Sequence, residues 1–332
     1  MDLNINQVEV LEDFPAPATT VSNTVSNPKP FIEANTINIS LEVMAHEHII
    51  PVWTANNEPL ISHAEFIDVT EQISTRAFRR EHILKPQVRV SHPVKGRIPE
   101  ARFKKAAELL PHEQTLYYER MAFIIEIPTI TEVINGNILS LTVGGVKSYA
   151  LDNMYGKRGY GAQHFQIFIG FQNKVCTNMC VYTDGYKLEA NIRSLNQLVT
   201  ALENLIRSFN HEEQVKSMKQ LVNVELSETE FAQIIGRARL HRYLPEALKA
   251  DVNPLLLGDQ QMGAVARAYY EDADFSVNKT GNLSLWNFYN LLTGANKTSY
   301  IDSFLERSVN SLDFTNEIMN HKVFNKRFWY LG

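Results

Sequence analysis

The sequence predicts an α+β fold, in which a central antiparallel sheet precedes a largely helical C-terminal region. Strand-like runs between residues 129 and 183 come in two pairs, marked by turn dipeptides of the Asn-Gly and Asp-Gly type. From Ile192 onward, apolar residues recur at helical spacing. A chain of 332 residues with 44% hydrophobic content is long enough for roughly two domains. We expect a disordered acidic segment at 1–30, an α+β sheet domain at 31–190 and a helical region at 191–332, packed on or following the sheet.

The N-terminal third contains several local signals. Residues 1–30 are predicted to be disordered, because they are rich in Asn, Ser, Thr and Pro and offer few large apolar side chains. Short apolar runs between Ile37 and Val69 indicate strands or a mixed lobe. A basic amphipathic helix is expected at Glu71–Leu84. Prolines and a glycine then impose an extended course, until a helical period resumes at Glu100–Leu110.

The sheet is predicted most clearly by a hairpin. Thr129–Ile134 and Asn137–Val143 are rich in β-branched residues, and the Asn135-Gly136 dipeptide between them suits a type I′ turn. Pro128 should mark a bend or a strand edge. A second pair, Phe165–Phe171 and Val175–Thr183, brings the antiparallel sheet to at least four strands.

The helical region begins with the run SLNQLVTALENLIRSF, which has an amphipathic period. Ser227 and Glu230 then form a capping-box pattern, which predicts that a helix starts there.

Charge is distributed unevenly along the chain, whose net charge is −5. Residues 1–50 hold one basic and seven acidic residues, for a net charge of −6, whereas residues 76–105 hold ten basic and two acidic residues, for +8. Such polarity points to a polyanionic partner, with the acidic stretch either solvating the protein or competing for the basic patch. The alternative is a solvated basic face that pairs with acids elsewhere in the fold.

A glycine-rich stretch, GKRGYG at residues 156–161, follows the predicted hairpin. Glycine lets the backbone approach a ligand, lysine and arginine neutralise phosphates, and tyrosine offers a stacking face. The alternative is an ordinary loop, with Tyr149 and Phe165 in the core. The candidate nucleic-acid contacts are the charges Arg97, Arg102, Lys104, Lys105, Lys147, Lys157 and Arg158, and the stacking residues Tyr155 and Tyr160.

Metal and cofactor sites are not predicted. Cys176 and Cys180 supply half of a structural zinc site, and no second cysteine pair exists, so buried thiols are the simpler interpretation. His46 and His48 would share one face of a strand, but the sequence names no third ligand.

Catalytic signatures are likewise missing, because the sequence contains no G-x-S-x-G, no G-x-x-x-x-G-K-[ST] and no H-E-x-x-H motif. Enzymatic activity is therefore left open. Asp152, His164 and Asp184 lie near the glycine-rich stretch and are candidates for a general acid or base, although Asp184 also fits a turn.

The cellular compartment is predicted from the lack of a leader region and of a membrane-spanning run. The start MDLNINQVEVLEDF shows neither a cationic nor an apolar leader region, and no apolar run reaches the roughly 20 residues of a membrane span. Together with two thiols and no disulfide framework, this predicts a soluble cytoplasmic protein.

The sequence contains the segments SHPVKGRIPEA, YYERMAFIIEIPTI, LTVGGVKSYALDNMYGKRG, HFQIFIGFQNKVCTNMCVYTDG and LWNFYNLLTGANKTSYIDSFLERS. These segments resemble an uncharacterised bacterial family of unknown function that is similar to the phage/plasmid-like proteins. The resemblance covers about Phe31 to Asn310. It implies a setting among mobile elements and supplies no catalytic residues.

The prediction for function is therefore non-sequence-specific binding of DNA or RNA, chiefly single strands, through phosphates and stacking, without a cofactor or a membrane. Two alternatives stay open. One is an interaction or anti-defence factor that binds a host protein, for which Leu283–Leu292 could present an apolar face, although such a stripe is more often core. The other is a metal-dependent or acid/base enzyme that acts on nucleotides.

Overall fold

A computed structural model describes residues 30–47, 60–101, 103–149, 151–152, 162–174, 179–181 and 187–332. Within these ranges the fold is α+β, as predicted, with a large antiparallel sheet and helices in the C-terminal part. The predicted disordered segment lies outside the described residues except for Pro30.

Eleven strands are present in the described ranges, and seven of them form the central sheet. Its order is β1-β2-β5-β6-β7, and β8 and β9 both pair with β7. The strands are β1 (Ile37–Asn38), β2 (Gln87–Val90), β3 (Pro93–Arg97), β4 (Gln114–Tyr118), β5 (Arg120–Ile134), β6 (Asn137–Ser148), β7 (Gln163–Asn173), β8 (Met179–Val181), β9 (Lys187–Ile192), β10 (Glu225–Ser227) and β11 (Asn282–Ser284).

Helices dominate the chain after β9, which confirms the predicted helical C-terminal region. The Ser227–Glu230 capping box is present, with Ser227 Oγ accepting from the Glu230 N–H at 3.3 Å. The α-helices are α1 (Leu41–Glu47), α2 (His63–Ala77), α3 (Leu195–Ser208), α4 (His211–Gln220), α5 (Glu228–Leu240), α6 (Glu246–Lys249), α7 (Asp259–Glu271), α8 (Leu285–Asn296) and α9 (Ile301–Phe324).

The predicted hairpin is formed by β5 and β6, with Asn135 and Gly136 at its turn. Both residues have positive φ, 49° and 80°, as a type I′ turn requires. The bend expected at Pro128 is a shift of the β5–β6 register between Ile127 and Thr131, where proline cannot donate to the ladder. The predicted partner of Phe165–Phe171 is β8.

The sheet is buried on both faces along residues 121–127 of β5 and along β7, where successive side chains pack into two different cores. On one face, Phe123 of β5 belongs to a large core that includes residues of α2, α3 and the C-terminal helices. On the other, Ile124 packs in a smaller core with Phe31 and with Phe304 of α9. A strand covered on both faces reads as a continuous apolar run, as MAFIIEI does in β5.

Gly144 and Gly145 of β6 serve packing. A Cβ on Gly144 would lie 2.4 Å from the Phe123 carbonyl oxygen, and one on Gly145 would lie 2.3 Å from the Phe66 ring. The missing side chains let the Phe66 ring sit 5.0 Å from the Phe123 ring, edge to face.

Two local predictions were wrong. The helix expected at Glu71–Leu84 is α2, which starts eight residues earlier at a Ser62–Glu65 capping box and ends at Ala77. The stretch Glu100–Leu110 contains short 3-10 turns instead of a helix, and the side chains of Arg97 and Glu113 bond to its backbone at Lys104 and Leu110.

Candidate nucleic-acid interface

A two-stranded ribbon, here called the arm (residues 93–118), carries most of the predicted basic contacts. Its strands β3 and β4 pair antiparallel, from Pro93 with Tyr118 to Arg97 with Gln114. The residues between the strands contain 3-10 turns and form its tip. Within the described chain the arm forms a sheet of its own, separate from the seven-stranded one.

The basic side chains of β3 lie on one face of the ribbon, because side chains alternate between the two faces of a strand. Lys95 and Arg97 are two residues apart, so they project from the same face of β3. Their cross-strand partners on that face are Leu116 and Gln114, both exposed. The face therefore combines cationic and apolar groups in contact with solvent.

The tip is shaped by two predicted cations. The Arg97 guanidinium donates to the Lys104 carbonyl, and Lys104 Nζ lies 2.5 Å from Glu113 Oε1. The hydrogen bond from Lys104, with a second from the Leu110 N–H, lowers the pKa of the Glu113 carboxyl. Arg97 and Lys104 thus help to fold the tip, and Lys104 remains 41% exposed along its side chain.

Exposed cations flank an exposed aromatic ring at the tip. Lys105 is exposed, and among the described residues neither Lys95 nor Lys105 forms an ion pair. Phe103 is 86% exposed, next to Lys104 in the sequence. An accessible ring beside basic groups suits base stacking combined with phosphate contact. Arg102, the predicted contact before Phe103, lies outside the described residues.

The glycine-rich connection leaves the sheet beside the arm. It joins the end of β6 to the start of β7, and at that end the Tyr149 N–H donates to the Glu119 carbonyl, 3.0 Å away, at the foot of β4. The flanks of the connection and the foot of the arm are therefore in contact. The predicted contacts within it, Tyr155, Lys157, Arg158 and Tyr160, lie outside the described residues.

Lys147 is buried and lies below this junction. Its side chain is 0% exposed; Nζ donates to Asp152 Oδ2 at 2.9 Å and to Gln163 Oε1 at 3.2 Å, and it lies 4.0 Å from the Phe165 ring centre. Burial lowers the pKa of the Lys147 ammonium, against the opposing effect of Asp152. The sequence assigned Lys147 to the surface that contacts nucleic acid; its burial removes it from the cations that a polyanion reaches.

The partners of Lys147 connect three chain segments. Asp152 Oδ1 accepts from the His164 N–H at 2.6 Å, and Gln163 Oε1 accepts from the Ile61 N–H at 3.0 Å, just before α2. This group of residues, here called the base cluster, comprises Lys147, Asp152, Gln163 and the His63–Tyr149 ring pair, whose centroids are 4.4 Å apart. It fixes both ends of the glycine-rich connection relative to the arm.

Two arginines of the basic segment, Arg79 and Arg80, lie away from the arm. α2 starts at the foot of the arm, where His63 Nε2 is 2.9 Å from the Tyr118 carbonyl oxygen. After α2 ends, the His82 N–H donates to Thr129 Oγ1, nine residues along β5 from its start. At about 3.3 Å per residue, that point is roughly 30 Å from the arm. Arg79 and Arg80 are thus exposed at the opposite end of the sheet.

Of the candidates for catalysis and metal binding, the structure brings Asp152 and His164 into contact, through the His164 backbone N–H. Asp152 is engaged by Lys147 and by the His164 backbone, Asp184 and Cys176 lie outside the described residues, and His46 lies in α1 instead of a strand. His48 also lies outside the described residues, whereas Cys180 lies in β8. In the described part of the chain, no group of three metal-ligating residues occurs.

Sequence reasoning missed two residues of the arm, Lys95 and Phe103. The signal for Phe103 was its place inside the run Arg102-Phe103-Lys104-Lys105, an aromatic residue among bases. Lys95 could be assigned only once its alternation with Arg97 on one strand was known.

The apolar stripe of Leu283–Leu292 belongs to the core. Leu285, Trp286, Phe288, Tyr289 and Leu292 are all 0% exposed. This helix therefore offers no apolar face to a partner. Over the described ranges, none of the helices combines the length and the hydropathy that crossing a bilayer would need.

Comparison with known proteins gives one finding. A family model described as "Domain of unknown function, B. Theta Gene description (DUF3871)" matches residues 16–331. Neither a curated protein nor a solved structure matches the chain.

Proposed function

The chain belongs to the DUF3871 family, a membership that assigns no activity, and we propose that it binds single-stranded DNA or RNA without sequence specificity through the arm. The single observation that carries this proposal is the composition of the arm. An 86% exposed ring, Phe103, lies within a run of basic residues on a ribbon that is separate from the main sheet. A phosphate chain and its bases offer the complementary groups.

The exposed cations of the arm contact the phosphates in this proposal. Lys105 and Lys95 have no carboxylate partner within the described chain, so binding a phosphate does not require breaking an ion pair. Arg97 uses one N–H on the Lys104 carbonyl and has further donors that can reach a phosphate. Six of the sequence-assigned cations remain once the buried Lys147 is set aside: Arg97, Arg102, Lys104, Lys105, Lys157 and Arg158.

Stacking supplies the preference for single strands, because bases are accessible to a ring only when they are not paired. Phe103 provides one platform at the tip. Tyr155 and Tyr160 are assigned as further platforms from the sequence alone. The mobile-element setting that the sequence resemblance implied is also part of this proposal, as is the cytoplasmic location.

The test is a titration of the full chain against a fluorescent single-stranded oligonucleotide over a range of salt concentrations. If about six phosphates are neutralised, log affinity falls against log salt with a slope near −4. Fluorescence anisotropy measures the affinity at each salt concentration. An oligonucleotide that stays unbound at the lowest salt would remove the proposal.

A matched pair of variants locates the interface. Lys105→Glu reverses a charge on the arm, and Arg80→Glu reverses one at the opposite end of the sheet; both positions are exposed. We expect Lys105→Glu to weaken binding and reduce the slope, with little effect from Arg80→Glu. Equal losses in both variants would assign the binding to net charge and not to the arm.

A further inference from the structure

The arm has a second property besides its charge, because its exposed surface is partly apolar. Phe103, Leu110 and Leu116 are 86%, 49% and 45% exposed. Leu116 lies directly across from Lys95 in the β3–β4 register. A purely polyanionic ligand leaves these apolar groups in water, whereas a chain that carries both acidic and apolar side chains covers both kinds of group.

The sequence contains one such segment near its start. Residues 8–14, VEVLEDF, hold three acidic and four apolar residues and no basic one. We call them the acidic segment and propose that they dock on the arm of the same molecule and compete there with nucleic acid. The competition rests on the proposed function, whereas the docking does not.

The path of the chain supports docking within one molecule. Phe31, close to the first described residue, packs against Phe304 with ring centroids 6.1 Å apart, in the first turn of α9. In that turn Asp302 pairs with Arg120, the first residue of β5. The Arg120 carbonyl accepts from the Ser91 N–H at 2.9 Å, two residues before the arm begins. The N-terminal part of the chain therefore enters the fold at the foot of the arm.

The connecting length is sufficient for this contact. Fifteen residues separate Phe14 from Pro30. A coil of this length spans on the order of 20 Å on average and about 50 Å when extended. The five-residue strands of the arm are about 17 Å long. The acidic segment can thus lie along the arm without strain in the connection.

Geometry on the arm offers a place for an extended chain. Within the described residues β3 and β4 pair only with each other, so each has an outer edge with backbone groups directed away from the ribbon. An extended segment can add to such an edge, with backbone hydrogen bonds for affinity and alternating side chains for selectivity. Glu9, Leu11 and Asp13 lie on one face of an extended segment, and that face would meet Lys95 and its cross-strand neighbour Leu116.

Linkage within one chain makes a weak contact effective. A short linker supplies an effective concentration on the order of 1 mM, so a contact with a Kd of about 0.1–1 mM is substantially occupied. When the contact is occupied to that degree, the acidic segment weakens nucleic-acid binding by roughly two- to tenfold. Neutralising it by Glu9→Gln, Glu12→Gln and Asp13→Asn should tighten binding by the same factor.

The docking is tested without nucleic acid, in the full chain. A photoreactive p-benzoylphenylalanine replaces Leu11, and mass spectrometry locates the residues to which it crosslinks. We expect crosslinks within residues 93–118 of the same molecule, and fewer of them when Lys95→Glu and Lys105→Glu are introduced. Crosslinks spread over the surface, or formed to a second molecule, would overturn the proposal.

The competition is tested by anisotropy with the triple neutral variant. Its matched control removes three acids of α4 and α7 (Glu212→Gln, Glu213→Gln and Glu271→Gln), which are exposed and change the net charge equally. Tighter binding in the first variant alone supports competition, and equal tightening in both contradicts it. If crosslinks map to the arm but no variant binds an oligonucleotide, the docking stands and the proposed function fails.

Discussion

The arm and the sheet at its foot both carry lysines, and they use them in opposite ways. Lys147 is buried with Asp152, Gln163 and an aromatic ring, so its charge stabilises an internal junction. Lys105 is exposed on the arm and forms no ion pair within the described chain. Basic residues of the arm and of the adjoining sheet therefore differ in function according to whether the sheet covers them. A count of cations therefore overestimates the surface that a polyanion can reach.

The largest effect is expected where the buried lysine is removed. Lys147→Met leaves the Asp152 carboxylate, 11% exposed, without its ammonium partner, which should reduce the free energy of unfolding by about 3–5 kcal/mol. Chemical denaturation measures this loss. The double variant Lys147→Met with Asp152→Asn should recover most of it. A single variant as stable as the wild type would break the contrast between the two regions.

A smaller loss is expected from filling the space at β6. Ala at Gly144 would bring a Cβ to 2.4 Å from a backbone oxygen and 2.6 Å from the Phe168 ring, and such overpacking costs roughly 1–3 kcal/mol. The control is Gly263→Ala in α7, where a Cβ would meet nothing within 4 Å. Because alanine favours a helix over glycine, that control should be neutral or more stable. Thermal unfolding of both variants sharpens the assignment of Gly144 to packing.

On the arm, truncating an exposed side chain should affect oligonucleotide binding and not stability. Phe103→Ala removes a ring that is 86% exposed, so the free energy of unfolding should stay within about 0.5 kcal/mol of the wild type. Loss of one stacking platform should weaken oligonucleotide binding by about 1 kcal/mol, a roughly fivefold higher Kd. Phe103→Tyr keeps the ring and serves as the control. Destabilisation by Phe103→Ala would show that the ring has a structural role.

The smallest effect concerns acid pH at the tip of the arm. The pKa of Glu113 is lowered by its hydrogen bonds with Lys104 and the Leu110 N–H, so its stabilisation is complete above the ordinary glutamate pKa of about 4.3. It is lost as pH falls through the lowered folded-state pKa. The difference in melting temperature between the wild type and Glu113→Gln should therefore shrink between pH 5 and pH 3. A difference that is constant over this range would contradict the role of the ionised carboxylate.

Much of the fold could be predicted from local pattern. Asn135-Gly136 identified the hairpin, because few other dipeptides accept positive φ at both positions. Ser227 and Glu230 identified a helix start, because the capping box uses side chains three residues apart. The start of α2 was missed although Ser62 and Glu65 have the same spacing. The helical period at residues 100–110 was misleading, because side chains of the arm, those of Arg97 and Glu113, bond to the backbone there.

The candidate site was predicted less completely, because exposure is a property of the assembled fold. The sequence alone determined the basic segment, the glycine-rich run, the acidic segment and the α+β order, since each depends on neighbours along the chain. The tertiary structure was needed to show that Lys147 is internal, that Arg79 and Arg80 lie at the far end of the sheet, and that the foot of the arm contacts Tyr149, just after β6. Strand pairing determines these features, because it joins residues far apart in the sequence and sets which face of each strand is covered.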